Sequence, residues 1–373
     1  MSSWKECKLG DIINFGNGRS RPKIEGEYPI YGGNGILGYA NEFNYTDETI
    51  ILGRVGAYCG SVYYENKPIW VSDNALSAKP KEGNHSKFLY YFLKNMDLNS
   101  HAGGSSHPLI TQSLLNSLNV EICTDFEEQK AIAEVLSSLD DKIDLLHRQN
   151  QTLESLAQTL FRQWFEDKEF DGIIGDIIKL QSGYAFKSKD FQDFGIHGVL
   201  KIKNISNSII DIFNTDFIDL TVANKTDEKF KILSGDILFG MTGAEIGKMG
   251  IVPKTDKNLW LNQRVGVLRE KYLGAKYLAY LQLTSEFGFD YITNTATGSA
   301  QPNISASEIE QCPFVKLEVD EIENYSNEIS PLFEKIIFNL GQIQTLENLR
   351  DTLLPKLLSG EVKINLGDKA NGN

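Results

Sequence analysis

The sequence predicts an α+β protein with two globular domains of mixed helix and strand. The domains form a tandem repeat and are separated by two long antiparallel coiled-coil helices, which gives the chain pseudo-two-fold symmetry. Three observations predict this fold: an internal repeat, glycine-rich β-prone segments, and two long apolar heptads. The length of 373 residues leaves room for about two domains.

The repeat consists of five short motifs that occur twice in the same order. They are GDII at 10–13 and 175–178, ILGRVGAYCG and LFGMTGAEIG at 51–60 and 238–247, WVSDNAL and WLNQRVG from Trp70 and Trp260, GSSHPLITQSLL and GSAQPNISASEI from Gly104 and Gly298, and QTLESL and QTLENL from Gln151 and Gln344. The offset is 165 residues for the first pair and 187 to 194 for the others. The second copy therefore carries extra residues after its GDII motif, and the long period excludes a solenoid of short repeats.

The first part of each copy is predicted to be a globular domain, at 1–125 and 166–318. Short β-prone runs such as TIILG, SVYY and DILFG are separated by glycine turns. Short helices are expected at 87–93 and 276–283, and both repeated tryptophans are expected in the core. Glycines 53, 56, 240 and 243 are interpreted as positions of special backbone geometry.

The second part of each copy is predicted to be a long helix, at 126–165 and 319–360, and a tail follows at 361–373. Apolar residues from Ile132 to Trp164 alternate in spacings of four and three, and Asn150 is the one polar residue of this series. The second series contains Asn339. Pro355 should kink or weaken its last turns, and Gly360 is a plausible stop.

A helix of this length spans about 60 Å and has one narrow apolar seam. We expect the two helices to pair with each other in antiparallel orientation. The alternative is that each helix packs on its own domain. A polar residue at the core position of a heptad fixes register at a cost in stability, so Asn150 and Asn339 are predicted to lie close together.

The net charge of −13 is unevenly distributed. Residues 126–171 hold 11 acidic and 5 basic residues, and residues 320–361 hold 8 acidic and 3 basic residues. The globular parts are therefore nearly neutral, and basic residues recur at similar places in both. Each basic run alone is typical of a solvated surface, but their recurrence favours nucleic-acid binding.

Several other classes of protein are disfavoured. No apolar run reaches the roughly 18 residues of a membrane span, and the N-terminus lacks the apolar segment of a signal peptide. The four dispersed cysteines indicate reduced thiols in a cytoplasmic protein. The G-x-G-x-x-G at 33–38 is not followed by a helical pattern, and no metal-ligand spacing or catalytic constellation is apparent. This favours a binding or scaffold role without catalytic or metal-binding residues.

A further set of motifs extends over nearly the whole chain. They are W-x-x-x-x-LGDI from Trp4, YPIYGGNGILGY, both G-x-x-G-A-x-x-G frames, SSHPLIT with QPNIS, FEEQKAIAEVLSSLDDKID, and QTLENLRDTLLPKLLSGEV. In this order the motifs resemble the specificity (S) subunit of type I restriction-modification systems. The resemblance implies two target recognition domains that read a bipartite, asymmetric site on double-stranded DNA, and helices that act as the spacer.

The resemblance also implies two methyltransferase (modification) subunits and two restriction (motor-nuclease) subunits as partners. S-adenosylmethionine, ATP and Mg²⁺ are expected in those subunits, and no cofactor is expected in this chain. A rival interpretation is a non-enzymatic coiled-coil scaffold with two protein- or carbohydrate-binding lobes. A second rival is a stand-alone nuclease or methyltransferase, which the absent catalytic motifs disfavour.

Candidate DNA-contacting residues are polar or basic side chains on the glycine-rich loops, because base edges and phosphates are read by such groups. In the first domain they are Arg19, Arg21, Asn34, Arg54, Asn74 and Ser105; in the second they are Tyr184, Lys203, Asn204, Thr242, Lys248, Arg264 and Gln301. The alternative for each is an ordinary turn or surface residue.

Overall fold

The computed structural model describes residues 3–104, 108–206, 208–296 and 302–365. The chain forms two compact units, which we call unit 1 (residues 1–142 and 346–373) and unit 2 (residues 143–345). Each long helix therefore contributes residues to both units. The segment boundaries expected from the sequence stay predictions.

Unit 1 is built from short strands and helices followed by the first long helix. Its strands are β1 (Trp4–Lys8), β2 (Ile13–Asn17), β3 (Tyr28–Gly32), β4 (Gly35–Ala40), β5 (Thr49–Gly53), β6 (Val62–Glu65), β7 (Trp70–Val71), β8 (Ala75–Pro80) and β9 (Asn119–Cys123). Its helices are α1 (Leu9–Ile12), α2 (Ser86–Asn95), α3 (Gln112–Ser117) and the start of α4 (Phe126–Phe165). The strands pair in the orders β2-β8-β5-β6, β4-β3-β7 and β1-β9, and only β3 and β7 are parallel among these described pairs.

The main core of unit 1 lies between its largest sheet and the helices. Phe88 and Leu89 of α2 pack with Ile50 of β5 and Leu136 of α4 in one buried cluster. The LGDI motif also contributes, because Leu9 is buried there. The backbone N–H of Lys8 donates to the Asp11 carboxylate at 3.0 Å, which caps α1 at its first turn.

Unit 2 contains the second copy. Its strands are β10 (Gly172–Ile173), β11 (Ile178–Ser182), β12 (Phe191–Gln192), β13 (His197–Leu200), β14 (Ile205–Ser206), β15 (Ser208–Ile210), β16 (Asp216–Ile218), β17 (Lys231–Ile232), β18 (Ile237–Gly240), β19 (Met249–Ile251), β20 (Asn258–Leu261), β21 (Val265–Glu270) and β22 (Pro313–Phe314). Its helices are α5 (Leu220–Lys225), α6 (Ala275–Thr284), α7 (Glu286–Thr295), α8 (Ala306–Glu310) and part of α9 (Val319–Leu358). The sheet orders are β11-β21-β18-β19-β15-β14, β12-β16-β13-β20-β17 and β10-β22.

The sheets of unit 2 contain the pairings of unit 1 and extend them. The order β11-β21-β18-β19 corresponds to β2-β8-β5-β6, and the parallel pair β13–β20 corresponds to β3–β7. The extra residues of the second copy form β12, β14, β15, α5 and β17. They add strands at the edges of both larger sheets, which explains how the insertion leaves the shared pairings intact.

The two long helices contact each other within each unit. In unit 2 the side chain of Asn339 donates to Asn150 Oδ1 at 2.9 Å, and the ring of Tyr325 lies 4.7 Å from that of Trp164. In unit 1 a guanidinium nitrogen of Arg350 donates to Asp140 Oδ1 at 2.9 Å. The two contacts in unit 2 have an antiparallel sense, because Trp164 follows Asn150 in α4 whereas Tyr325 precedes Asn339 in α9. Helix α9 continues through Pro355, and Gly360 follows with φ +73°.

A tyrosine connects each globular part to a long helix. In unit 1 the hydroxyl of the buried Tyr91 donates to Asp140 Oδ2 at 2.7 Å. In unit 2 the hydroxyl of the buried Tyr280 donates to Glu154 Oε1 at 2.8 Å. Both tyrosines lie on the corresponding helices α2 and α6. Because a hydrogen bond to a charged acceptor is stronger than a neutral one, each pair restrains its helix on the long-helix segment of its own unit.

Candidate nucleic-acid interface

Four loops of unit 1 meet at one end of its strands, at residues 18–21, 33–34, 54–61 and 72–74. We call them the first loop cluster. The backbone N–H of Arg19 donates to the carbonyl of Val71 at 3.0 Å, and that of Arg54 donates to the carbonyl of Asn74 at 3.1 Å. Gly33 lies against both Asn74 and Gly53. Backbone hydrogen bonds thus bring together loops that are up to about 50 residues apart in sequence.

Unit 2 contains the corresponding second loop cluster, at residues 183–184, 201–204, 241–248 and 262–264. Tyr184 N–H donates to the Leu261 carbonyl at 2.8 Å, and Met241 N–H donates to the Arg264 carbonyl at 3.2 Å. The glycine-rich loops are also held alike, because Gly56 N–H donates to Pro108 in unit 1 and Gly243 N–H to Pro302 in unit 2. The repeated sequence motifs therefore form equivalent backbone hydrogen bonds in the two units.

Close packing explains one glycine in each cluster. A Cβ atom on Gly18 would lie 1.8 Å from the carbonyl oxygen of Ser72, and a Cβ atom on Gly183 would lie 2.2 Å from that of Asn262. No side chain fits at such distances. These two glycines allow the first loop of each cluster to approach the turn that follows β7 or β20.

Most candidates in the first loop cluster are accessible. Arg19, Arg21, Asn34 and Asn74 are exposed, whereas Arg54 is half-buried. The buried Nε of Arg54 has no hydrogen-bond partner among the described residues. An unpaired buried donor is costly, so Arg54 lacks the hydrogen bond that usually stabilises a partly buried guanidinium.

The candidates in the second loop cluster differ more from one another. Arg264 is exposed, and Thr242 is half-buried. Tyr184 is exposed and its ring lies 4.9 Å from that of Phe186 and 5.4 Å from that of Phe230. Its position is therefore fixed by aromatic packing, while part of its ring stays accessible.

Asn204 is a correction to the predicted set. Its side chain is only 2% exposed, its Oδ1 accepts from the N–H of Lys201 at 2.9 Å, and its Nδ2 donates to the carbonyls of Asp211 and Asn214. The amide holds the loop at 201–204 against residues 211–214. It cannot reach a base edge in this conformation, and we remove it from the candidate contacts.

The two candidate lysines of unit 2 are exposed but paired with carboxylates. Lys203 donates to Asp216 at 2.9 Å, and Lys248 pairs with Glu245 one turn away. Burial works to raise the pKa of Asp216, but its hydrogen bonds with Lys201 and Lys203 outweigh this and place the pKa below its usual value. A phosphate would have to compete with these carboxylates for either lysine.

Sequence reasoning missed neighbouring side chains in the same loops. Asp73 and Gln263 are exposed and precede Asn74 and Arg264 in the two corresponding turns. Tyr58 is exposed at the tip of the first glycine-rich loop. The alignment of WVSDNAL with WLNQRVG is the signal that could have identified the first two. Ser105 and Gln301 lie outside the described residues.

The other sequence features have structural explanations. The G-x-G-x-x-G at 33–38 lies in the β3–β4 hairpin, so strand β4 follows where a dinucleotide site has a helix. Both repeated tryptophans are buried, as predicted.

Burial raises the pKa of the Cys59 thiol despite a backbone hydrogen bond. Among the described residues there is no cluster of metal-binding side chains and no helix long and apolar enough to cross a membrane.

The two loop clusters share one frame of backbone hydrogen bonds and display polar and basic side chains, an arrangement expected of a protein with two equivalent binding surfaces. The sequence profile of the type I restriction modification DNA specificity domain matches residues 1–155 and 169–316. The chain belongs to this family, and it contains two copies of its domain.

Curated relatives agree with this assignment, and a solved structure has a similar fold. The chain is 30% identical over 346 residues to the type I restriction enzyme MjaIX specificity subunit of Methanocaldococcus jannaschii, an alignment that covers 84% of this chain and 78% of the relative. It is 24% identical to the MjaVIII specificity subunit of the same organism, over 97% of this chain and 93% of that one. The fold is similar to a crystal structure of a type I restriction-modification S subunit from M. genitalium, with a TM-score of 0.67, 19% identity, and 95% and 96% of the two chains covered.

Proposed function

We propose that this chain is the DNA sequence-specificity subunit of a type I restriction-modification complex and reads a bipartite, asymmetric site. One loop cluster reads each half-site. The observation that carries the proposal is the matched frame of backbone hydrogen bonds in the two clusters, on which different side chains are displayed. Two loop clusters with the same backbone frame but different side chains suit a DNA site whose two halves differ in sequence.

The proposed contacts are the accessible candidates. In unit 1 they are Arg19, Arg21, Asn34, Arg54 and Asn74; in unit 2 they are Tyr184, Thr242, Arg264, Lys203 and Lys248. Amide and guanidinium groups can read base edges, whereas lysines hold phosphates and set the orientation. Ser105 and Gln301 stay in the proposed set on the sequence pattern alone.

We further propose that α4 and α9 pair as an antiparallel coiled coil, which relates the two domains by a pseudo-two-fold axis and acts as the spacer between half-sites. The contacts of Asn150 with Asn339 and of Asp140 with Arg350 support this pairing, because both pairs follow the same antiparallel register. In this proposal the hydrogen-bonded pair of the buried Asn339 and the half-buried Asn150 fixes the register of the helices.

The chemistry is assigned to partner subunits. We propose that two methyltransferase subunits and two motor-nuclease subunits assemble on this chain in the cytoplasm, and that S-adenosylmethionine, ATP and Mg²⁺ bind to them. This chain then contributes recognition and no catalytic residue. The acidic helices suit a basic protein surface, and the nearly neutral globular parts suit DNA binding that is weak until the partners add phosphate contacts.

Mapping of methylated bases tests the proposal. The methyltransferase subunit is expressed with and without this chain in a host that lacks type I systems, and methylated adenines are located by long-read sequencing. We expect a bipartite, asymmetric motif only when the chain is present. A methylation pattern that is the same without the chain contradicts the proposal.

A binding assay separates this function from the scaffold alternative. We expect the purified chain with its methyltransferase to shift duplex DNA, and the affinity to fall steeply as salt concentration rises. A complex that assembles but shows no DNA affinity at low salt favours the scaffold with two protein- or carbohydrate-binding lobes.

A further inference from the structure

The two loop clusters each contain a β-turn with the same hydrogen-bonded geometry, at 72–75 and 262–265. The N–H of Ala75 donates to the carbonyl of Ser72 at 3.0 Å, and the N–H of Val265 donates to the carbonyl of Asn262 at 3.0 Å. Each turn directly follows the strand that contains the buried tryptophan. The two turns therefore present their residues in equivalent positions.

The third residue of each turn is held by a second matched hydrogen bond. The carbonyl of Asn74 accepts from Arg54 N–H at 3.1 Å, and the carbonyl of Arg264 accepts from Met241 N–H at 3.2 Å. These bonds involve the backbone only, so they fix the position of the residue whatever its side chain is. Position 74 of unit 1 thus corresponds to position 264 of unit 2.

The side chains at this position are accessible and chemically different. Asn74 and Arg264 are both exposed, and within the described part of the chain neither side chain has a hydrogen bond or an ion pair. Their polar atoms are therefore free to meet a ligand, while matched backbone hydrogen bonds place the two residues at equivalent positions. A polar side chain that is unpaired in the free protein can form hydrogen bonds with a base edge.

The residue whose backbone N–H donates to the third residue of the turn also differs between the two units. Unit 1 has Arg54 beside Asn74, whereas unit 2 has the buried Met241 beside Arg264. Each of these residue pairs thus contains one arginine. In unit 1 the arginine Arg54 is half-buried and Asn74 is exposed, whereas in unit 2 the arginine Arg264 is exposed. The exposed group at the turn is an amide in one unit and a guanidinium in the other.

We infer that Asn74 reads an adenine and Arg264 reads a guanine at corresponding positions of the two half-sites. An Asn amide matches the N6 donor and N7 acceptor of adenine, and an Arg guanidinium matches the O6 and N7 acceptors of guanine. This inference rests on the proposed function and assigns its specificity to one pair of residues.

The experiment exchanges the two side chains. The wild type, N74R, R264N and the double exchange are each expressed with the methyltransferase, and their methylation motifs are determined. Asn66→Arg is the matched control for N74R, because Asn66 is exposed on the β6–β7 connection, before β7 rather than after it. R264K keeps the charge but removes the planar fork that matches guanine.

We expect N74R to change adenine to guanine at one position of one half-site, and R264N to make the reverse change in the other half-site. In competition binding with the methyltransferase present, R264K should lose most of the preference for guanine over the other bases, roughly 5- to 150-fold for a bidentate contact. Asn66→Arg should leave the motif unchanged.

Two results overturn the inference while leaving the proposed function intact: an unchanged motif in N74R and R264N, or a loss of affinity in R264N that is equal for all four bases at that position. The second result indicates a phosphate contact. A wild-type chain that directs no bipartite methylation instead overturns the proposed function itself, so the two failures are distinguishable.

Discussion

Removal of the Tyr91 hydroxyl tests the hydrogen bond that joins helix α2 to the part of α4 in unit 1. Tyr91 is 1% exposed, and its hydroxyl donates to Asp140 Oδ2 at 2.7 Å, while Arg350 donates to the other carboxylate oxygen at 2.9 Å. Tyr91→Phe removes this donor and keeps the buried ring. Hydrogen bonds to charged groups contribute about 1.5–3 kcal/mol, and we expect a loss near the lower value because Arg350 still pairs with the carboxylate.

Tyr90→Phe is the matched control, since Tyr90 is the adjacent residue of α2. Its hydroxyl accepts only from the exposed Lys94 Nζ, at 3.3 Å, among the described residues. We expect the free energy of unfolding to change by less than about 0.5 kcal/mol in this variant.

Urea and thermal unfolding of the full chain measure both variants. A loss of about 1.5 kcal/mol lowers the melting temperature of unit 1 by roughly 3–6 °C. Equal effects of Tyr91→Phe and Tyr90→Phe would refute the assignment of a stabilising hydrogen bond to Tyr91.

The same residue predicts a dependence on alkaline pH. Burial, followed by the hydrogen bond and the negative charge of Asp140, raises the pKa of Tyr91 well above its ordinary value of 10.0. Below pH 10 the phenol is neutral in both states, and its contribution to stability is complete. As pH rises above 10, the phenol ionises in the unfolded chain but not in the folded one, so stability is lost. The stability difference between wild type and Tyr91→Phe should therefore shrink above pH 10, and a difference that stays constant to pH 11 contradicts this reasoning.

Two further predictions concern the loop frame and the helix pair. Gly18→Ala should lower the free energy of unfolding by about 1–3 kcal/mol and weaken DNA binding, because the added Cβ would lie 1.8 Å from the Ser72 carbonyl oxygen. Gly103→Ala is the control and should be neutral, because the nearest atom to its Cβ would be 4.0 Å away. Unfolding and DNA-binding measurements on both variants check this. Asn339→Ala should cost about 1–3 kcal/mol, since the fully buried Asn339 donates to Asn150 at 2.9 Å. A double-mutant cycle with Asn150→Ala should give a coupling of about 0.5–1.5 kcal/mol, and strictly additive effects are the contrary outcome.

Periodic patterns allowed much of the fold to be predicted from the sequence. The heptads predict long helices, since 3.5-residue spacing extends over many turns, and the structure has helices of 40 residues at both places. The motif repeat predicted two copies and located the extra residues of the second. It could not predict that these residues extend two sheets, because strand pairing depends on contacts between distant segments.

The candidate site was harder to predict, because the partners of a side chain are set by the fold. Asn204 resembles an accessible loop residue in the sequence, but its amide bonds to the carbonyls of Asp211 and Asn214. The pairing of Lys203 with Asp216 is likewise non-local. The pairing of Lys248 with Glu245 could have been anticipated from their spacing of three residues.

The backbone frame of the loop clusters separates two kinds of mutation. The bonds that place the turn at 72–75 join N–H and carbonyl groups, which every residue except proline possesses in full. Under the proposed function, substitution of an exposed turn side chain would change the DNA sequence that is recognised without weakening the loop that displays it. New DNA sites would then be reachable by single replacements at little cost in folding, and each half of the target could diverge independently of the other.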